Sequence, residues 1–247
     1  MIDIHSHILW DVDDGPSSME ESLEILERAS HDGIHGMIAT SHYKHPLYSV
    51  AFQDVEEKIN LLQEELMKNN IPITLYVGHE VRLSNHIINS HQTMQYHTLA
   101  KSRYLLLELP SSTVPLYTIA IIQNLIEIGI TPIIAHPERN IAILERPAIL
   151  EKLVNNGAFA QITAGSITGH FGRQIQKRSL QFIQSNLVHT YGSDVHHLTK
   201  RPLLFKEGLA YLEKKKLSSK VDSFLKNNQR IINNQPLILM ELEHSKM

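Results

Sequence analysis

His5 and His7, in the stretch Asp3-Ile4-His5-Ser6-His7, are two residues apart. On an extended strand their imidazoles point to the same side and can chelate one cation. Asp14 follows, just before Gly15, where the chain must turn. An imidazole pair with a loop carboxylate is the beginning of a metal site. Asp11 and Asp13 are alternatives to Asp14, which the turn position favours. Further along come His42, Glu80, Glu108, His136, Asp194 and His196. Together these are five histidines and four carboxylates, more than the four to six ligands one ion takes. Two or three ions sharing a carboxylate would use them all.

The rest of the composition agrees with imidazole and carboxylate chemistry. The 247 residues include 16 histidines and no cysteine. Disulfides, thiolate ligands and a cysteine nucleophile are therefore excluded, and a reducing cytoplasm suits the chain. A formal charge of -3 argues against a nucleic-acid or membrane-surface partner. No apolar run is long enough to span a bilayer, so no membrane insertion is expected. The N-terminus reads as a strand rather than a signal peptide.

Elements that would position these residues recur along the chain. Ser17 and Ser18 with Glu20 and Glu21 form overlapping capping boxes, opening a helix through about Ser30. Strands are predicted at the N-terminus, then over 36–40, 73–77, 104–107, 131–135, 159–163 and 187–191. Helices are predicted between them, around 55–66, 115–129, 147–156 and 172–186, with two more near 203–215 and 218–228. Such alternation, repeated about seven times without a linker, means a parallel sheet with helices outside. Residues 1–247 are read as one domain, with the tail after about 236 poorly ordered. The candidate ligands fall at the carboxyl ends of the strands, which converge on one mouth in a barrel but spread along a line in an open sheet. The expected fold is thus an α/β barrel. Neither a Gly-x-Gly-x-x-Gly nor a Walker A loop is present.

Arg139 and Arg201 each follow a ligand-bearing strand, and a planar guanidinium suits phosphate. His79 should point away from Glu80. His31, His35, His86, His91, His97, His170, His189 and His244 are assigned to surface or loops, and His45 and His197 flank the site without a settled role. The stretch Tyr43 to Tyr48 supplies aromatic residues beside His42.

The chain resembles the PHP (polymerase and histidinol phosphatase) family. More closely, it is similar to the bacterial metal-dependent protein-tyrosine phosphatases of capsule and exopolysaccharide operons, the CpsB/CapC/YwqE type. The resemblance rests on Asp3-Ile4-His5-Ser6-His7 with Asp13-Asp14-Gly15, on Ile38-Ala39-Thr40-Ser41-His42 and on Gly78-His79-Glu80. It continues in Ile134-Ala135-His136-Pro137-Glu138-Arg139, Gln161-Ile162-Thr163-Ala164-Gly165-Ser166 and Ser193-Asp194-Val195-His196. It implies a distorted (β/α)7 TIM-like barrel, the PHP fold, with the metal site at the C-terminal mouth of the strands. It also implies three divalent ions, manganese foremost, with iron or zinc as alternatives. The first ion would be held by His5, His7, Glu80 and Asp194. Glu80 would bridge to the second, held also by Glu108 and His136. Asp14, His42 and His196 would hold the third. The pattern departs at Trp10-Asp11, where the family usually has Pro-Gly, and at Ser41, where it usually has Pro.

The implied activity is manganese-dependent hydrolysis of protein phosphotyrosine by a metal-activated water. The implied substrate is the tyrosine-rich tail of a bacterial tyrosine kinase controlling capsule or exopolysaccharide synthesis. Alternatives are another PHP phosphoesterase, such as a histidinol-phosphate phosphatase or a nuclease, and a non-catalytic metal-stabilised regulatory module.

Overall fold

The computed structural model describes residues 1–240. Nine strand segments among them occupy seven positions around a ring. β1 (Ile2–Ser6) pairs in parallel with β2 (Gly36–Ala39), and β2 with β4 (Thr74–Val77). After short breaks, β3 (His42–Tyr43) continues β2, and β5 (Glu80–Arg82) continues β4. β3 pairs with β5, which leads on through β6 (Tyr104–Glu108), β7 (Thr131–Ala135), β8 (Phe159–Thr163) and β9 (Thr190–Gly192), all parallel. The last gap is closed without a full ladder. The Asp194 N–H donates to the His5 carbonyl at 2.8 Å, and the His7 N–H to the Val195 carbonyl at 2.9 Å. This is the distorted seven-position, TIM-like α/β barrel that the sequence led us to expect.

Alternating side chains sort into two layers, as strand geometry requires. Leu105, Leu107, Ile134 and Ile162 pack outward with helix residues such as Ile122, Leu153 and Phe182. Ile38, Tyr104, Leu106 and Ile133, on the opposite faces, fill the inside of the ring with Ile2 and Ile4. β6 is buried along its whole length, hence its uninterrupted apolar run.

The irregularities lie where the site is built. The register of β1 against β2 shifts between Asp3 and Ser6. A bulge of this kind re-aims the side chains that follow it. Ile2 and Ile4 therefore join the inner core while His5 and His7 both reach the mouth. The break between β2 and β3 is bridged by Thr40, whose N–H donates to the Ser6 carbonyl at 2.8 Å and whose hydroxyl accepts the Ser6 N–H at 3.0 Å.

The outer helices are α1 (Met19–His31), α2 (Phe52–Lys68), α3 (Ile87–Gln92), α4 (Thr118–Glu127), α5 (Ile141–Glu145), α6 (Ala148–Asn155), α7 (Ala164–Thr168), α8 (Arg173–Gln184), α9 (Phe205–Lys214) and α10 (Ser218–Ile232). The capping motif is real: the Ser18 hydroxyl accepts the Glu21 N–H at 3.3 Å, and the Glu21 carboxylate accepts the Ser17 N–H at 2.9 Å. α7 takes up Ala164-Gly165-Ser166 directly after β8, where no helix was predicted. A Cβ at Gly165 would come within 2.8 Å of the Phe171 ring, so the glycine serves close packing. β9 begins later than predicted, at Thr190. Of the tail expected to be poorly ordered, residues 236–240 lie against α10: Leu237 is buried and the Ile238 N–H donates to Asn227 at 2.8 Å. Residues 241–247 lie outside the described residues, as does His244. Among the described residues no helix is long and apolar enough to cross a membrane.

Candidate metal centre

Each candidate ligand stands at or beyond the carboxyl end of a strand, except Asp14 in the loop before α1. Parallel strands bring those ends to one mouth. All nine side chains meet there. They fall into four groups able to hold an ion: His7, Asp14, His42 and His196; His5, His7 and Glu80; His5, His136 and Asp194; and His42, Glu80 and Glu108.

His5 Nε2 and His7 Nε2 each face both Glu80 Oε2 and Asp194 Oδ1. The His5 nitrogen is 3.1 Å from the Asp194 oxygen and 3.6 Å from the Glu80 oxygen. The His7 nitrogen is 3.3 Å from the Glu80 oxygen and 3.6 Å from the Asp194 oxygen. A tetrahedron of ligands at about 2.1 Å from a cation has edges of roughly 3.4 Å, so the spacing fits an ion. The two oxygens of Glu80 face different partners. Oε1 is 2.7 Å from His136 Nε2, while Oε2 is 3.2 Å from His42 Nδ1. Asp14 Oδ1 lies 3.4 Å from His42 Nε2 and 3.3 Å from His196 Nε2.

The grouping differs from the arrangement implied by resemblance at Glu108, His136 and Asp194. The geometry groups Glu108 with His42 and Glu80, and His136 with His5 and Asp194. Arg82 holds one Glu108 oxygen at 2.8 Å and draws that carboxylate to its own side.

The donor set fits a metal on a second count. His5 Nε2, His7 Nε2, Asp14 Oδ1, His42 Nδ1, Glu108 Oε2 and Asp194 Oδ1 are buried without a hydrogen-bond partner. Orphaned buried polar atoms are rare in folded proteins and call for an explanation such as an ion. Here six aim at one region.

Neighbouring residues fix the tautomers. Asp13 Oδ2 is 2.9 Å from His7 Nδ1 and also accepts the His42 N–H at 3.0 Å. Gln161 Oε1 is 3.2 Å from His5 Nδ1. A proton held on each Nδ1 leaves the Nε2 lone pair for a cation. Sequence reasoning weighed Asp13 only as a ligand and missed Gln161. The legible signal was a glutamine inside an otherwise apolar strand. His136 and Asp194 adopt φ of 33° and 57°, costly for residues with a Cβ. Both carry candidate ligand side chains, so backbone strain is accepted at two points of the site.

Electrostatics follow from burial and crowding. Burial opposes charge on His5 and His7, but facing carboxylates outweigh it and raise them to about 9 and about 10, so a cation binding at their Nε2 atoms displaces a proton from each. Burial lowers His136 to about 4 and His196 to about 3. Glu108 is pushed up to about 7 by burial and by the Glu80 charge. Burial also opposes charge on Asp194, yet the facing arginines hold its carboxyl well below the usual range.

Both arginines reach this centre. Arg139 Nη2 is 2.6 Å and Arg201 Nη2 is 2.7 Å from Asp194 Oδ2. Arg201 Nη1 also donates to His196 Nε2 at 2.7 Å. The guanidiniums line a cavity of about 340 Å³ together with His42, His45, Glu108 and His136. The Arg139 guanidinium sits over the Phe171 ring at 4.9 Å.

The remaining histidines divide. His79 is buried away from the ligand set, its Nδ1 accepting the His97 N–H at 2.9 Å. His97 and His189, assigned to surface or loops, lie outside helices and strands and are buried. His97 stacks on Phe52 at 3.6 Å, and His189 Nδ1 accepts the Ala160 N–H at 3.2 Å. Each ring satisfies a backbone group, a use of histidine that periodicity does not reveal. His45 stacks on His42 at 4.5 Å.

A family model described as "Capsular polysaccharide synthesis, CpsB/CapC" matches residues 1–233. The chain belongs to the CpsB/CapC family. Within that family it is 40% identical over 235 residues to CapC of Staphylococcus aureus, covering 95% of this chain and 92% of the relative. It is 36% identical over 237 residues to the tyrosine-protein phosphatase YwqE of Bacillus subtilis (strain 168), covering 96% and 93%. A crystal structure from work on YwqE of Bacillus subtilis and CpsB of Streptococcus pneumoniae, described as metal-dependent tyrosine phosphatases, superposes with a TM-score of 0.96. The identity there is 35%, and all of both chains is covered. The CpsB/CapC barrel is thus shared along the whole ring, including the strands that carry the candidate ligands.

Proposed function

We propose that this protein is a metal-dependent protein-tyrosine phosphatase of the cytoplasm. It would use three divalent ions, manganese by preference, and act on the tyrosine-rich tail of a bacterial tyrosine kinase in capsule or exopolysaccharide synthesis. The observation that carries this reading is the double use of Asp194. Its Oδ1 faces His5 among the metal-type donors, while its Oδ2 holds Arg139 and Arg201 at 2.6 and 2.7 Å. Metal-type and phosphate-type groups therefore meet on one residue. The relatives YwqE and CpsB, described as metal-dependent tyrosine phosphatases, supply the substrate class.

His5, His7, Glu80 and Asp194 would hold one ion, with Glu80 shared toward His136 and Glu108 for a second, and Asp14, His42 and His196 for a third. When bound, divalent ions supply a nucleophilic water at neutral pH and Lewis-acid stabilisation of phosphoryl oxygens. The chain does the rest. Asp13 and Gln161 keep the His7 and His5 rings oriented. Arg139 and Arg201, released from Asp194, bind and orient the phosphate through charge-assisted hydrogen bonds. With an aqueous pKa of about 10, a tyrosyl phenolate leaves with less protonation than a serine alkoxide needs. The cavity at the barrel mouth is bordered by loops, which suits an extended polypeptide.

The test is a phosphotyrosine peptide assayed with chelator-stripped protein before and after adding manganese. Activity lost on stripping and restored by manganese supports the reading. Full turnover by the stripped protein contradicts it.

A further inference from the structure

Resting on the phosphatase reading above, we infer that His45 and Tyr48 form the wall that recognises the aryl group of the substrate ester. The residues lie in the loop between β3 and α2. Tyr43, which ends β3, and Tyr48, in the loop, have opposite fates. Tyr43 turns inward, is buried, donates its hydroxyl to Gln95 at 2.6 Å and packs on Tyr96 at 5.4 Å. Tyr48 turns outward to the ligand side. Its ring lies nearly parallel to His42, 6.1 Å away at 11°, and to His45, 5.6 Å away at 16°. His45 in turn lies 4.5 Å from His42 at 24°.

Three near-parallel rings with these separations form a triangle, not a column. They lie side by side rather than sandwiched in a stack, and both His45 and Tyr48 are only half-buried, so part of each side chain stays accessible. The loop holds them there by its own bonds. The Val50 N–H donates to the His42 carbonyl at 2.9 Å, the Tyr48 N–H to the His45 carbonyl at 3.2 Å and the Lys44 N–H to the Ser49 hydroxyl at 3.2 Å. The rings are therefore preorganised and lose little freedom when a ligand arrives.

His45 lines the same cavity as Arg139 and Arg201. A phosphate held by the guanidiniums would place its ester substituent in that cavity. Phe171 also lines it, but one face of its ring already carries the Arg139 guanidinium and its edge is packed on Gly165. His45 remains to meet the substituent, and Tyr48, 5.6 Å from it and nearly parallel, extends the aromatic surface beyond the cavity lining. An offset aromatic wall favours a phenyl ring over an aliphatic chain by its quadrupole and its area. A tyrosyl ester offers that ring, whereas a seryl ester does not.

The competing role is a buttress that only steadies His42. The experiment separates the two. Manganese-loaded protein is assayed on two peptides identical except for phosphotyrosine or phosphoserine, and the ratio of kcat/KM values is compared between wild type and variants. Comparing ratios cancels the intrinsic difference between the leaving groups. His45→Ala and Tyr48→Leu are each expected to reduce the tyrosine-to-serine ratio by about three- to tenfold, the scale of one aromatic contact. Bound metal should not change, and His45→Phe and Tyr48→Phe should restore the ratio. An unchanged ratio in both variants, or an equal loss on both peptides together with loss of metal, overturns the inference and leaves the phosphatase reading standing. A wild-type protein that hydrolyses neither peptide overturns that reading, and this inference with it.

Discussion

Asp13 Oδ2 stands 2.9 Å from His7 Nδ1, and the same oxygen accepts the His42 backbone N–H at 3.0 Å. One carboxylate thus orients one candidate ligand and anchors the backbone of another. Burial opposes its charge, but the facing His7 outweighs this and holds Asp13 down to about 2, so it stays ionised.

Asp13→Asn is therefore predicted to weaken metal binding without removing a ligand. The amide can present its N–H to His7 and disturb the tautomer. Loss of such an outer carboxylate typically costs tenfold to a hundredfold in metal affinity. Titration of stripped protein with manganese measures it, and an unchanged affinity would assign Asp13 to loop structure alone.

Arg139→Ala and Arg201→Ala are predicted to act on turnover and not on metal content. Each removal frees Asp194 Oδ2 from one cation. We expect kcat/KM for a phosphotyrosine peptide to fall by roughly tenfold to a thousandfold, the scale of one lost charge-assisted contact to a transition state. Bound metal should equal or exceed that of wild type. Unchanged kcat/KM in either variant would remove that arginine from phosphate binding.

A third prediction concerns acid stability, away from the site. His189 is buried, its Nδ1 accepts the Ala160 N–H, and burial lowers its pKa to about 4. In the unfolded chain the ring titrates near about 6.5. Between those values the unfolded state takes up a proton that the folded state refuses. The contribution is intact above about 6.5 and is lost as pH falls toward about 4, up to ~3 kcal/mol. His189→Asn keeps an acceptor and removes the titration. Denaturant unfolding at pH 6.5 and 4.5 should show a smaller loss of stability in the variant, and equal losses would contradict the assignment.

Most of the barrel was legible because its signals are local. Apolar runs such as Tyr104-Leu105-Leu106-Leu107 and the capping residues Ser18 and Glu21 act within a few positions. The candidate ligands were legible because they close strands, and strand ends converge in a parallel ring. What escaped depended on contacts distant in sequence. The Gln161 bond to His5 spans 156 residues, and α7 forms where Gly165 admits the Phe171 ring. His97 and His189 escaped because a buried imidazole that satisfies a backbone group looks, in sequence, like any surface histidine. The bulge in β1 was also invisible, although it lets Ile4 and His5 serve the core and the mouth in turn.

The central claim is that Glu80 is shared between ions, its Oε1 toward His136 at 2.7 Å and its Oε2 toward His5, His7 and His42 at 3.6, 3.3 and 3.2 Å. Removing a shared anion leaves neighbouring cations facing each other without it, a larger defect than losing one imidazole. The most direct test is the number of metal ions per chain in wild type and Glu80→Ala, measured beside turnover of a phosphotyrosine peptide. The account predicts more than one ion in wild type, and loss of metal and activity together in the variant. A Glu80→Ala protein with a full metal complement and near-normal turnover would contradict it.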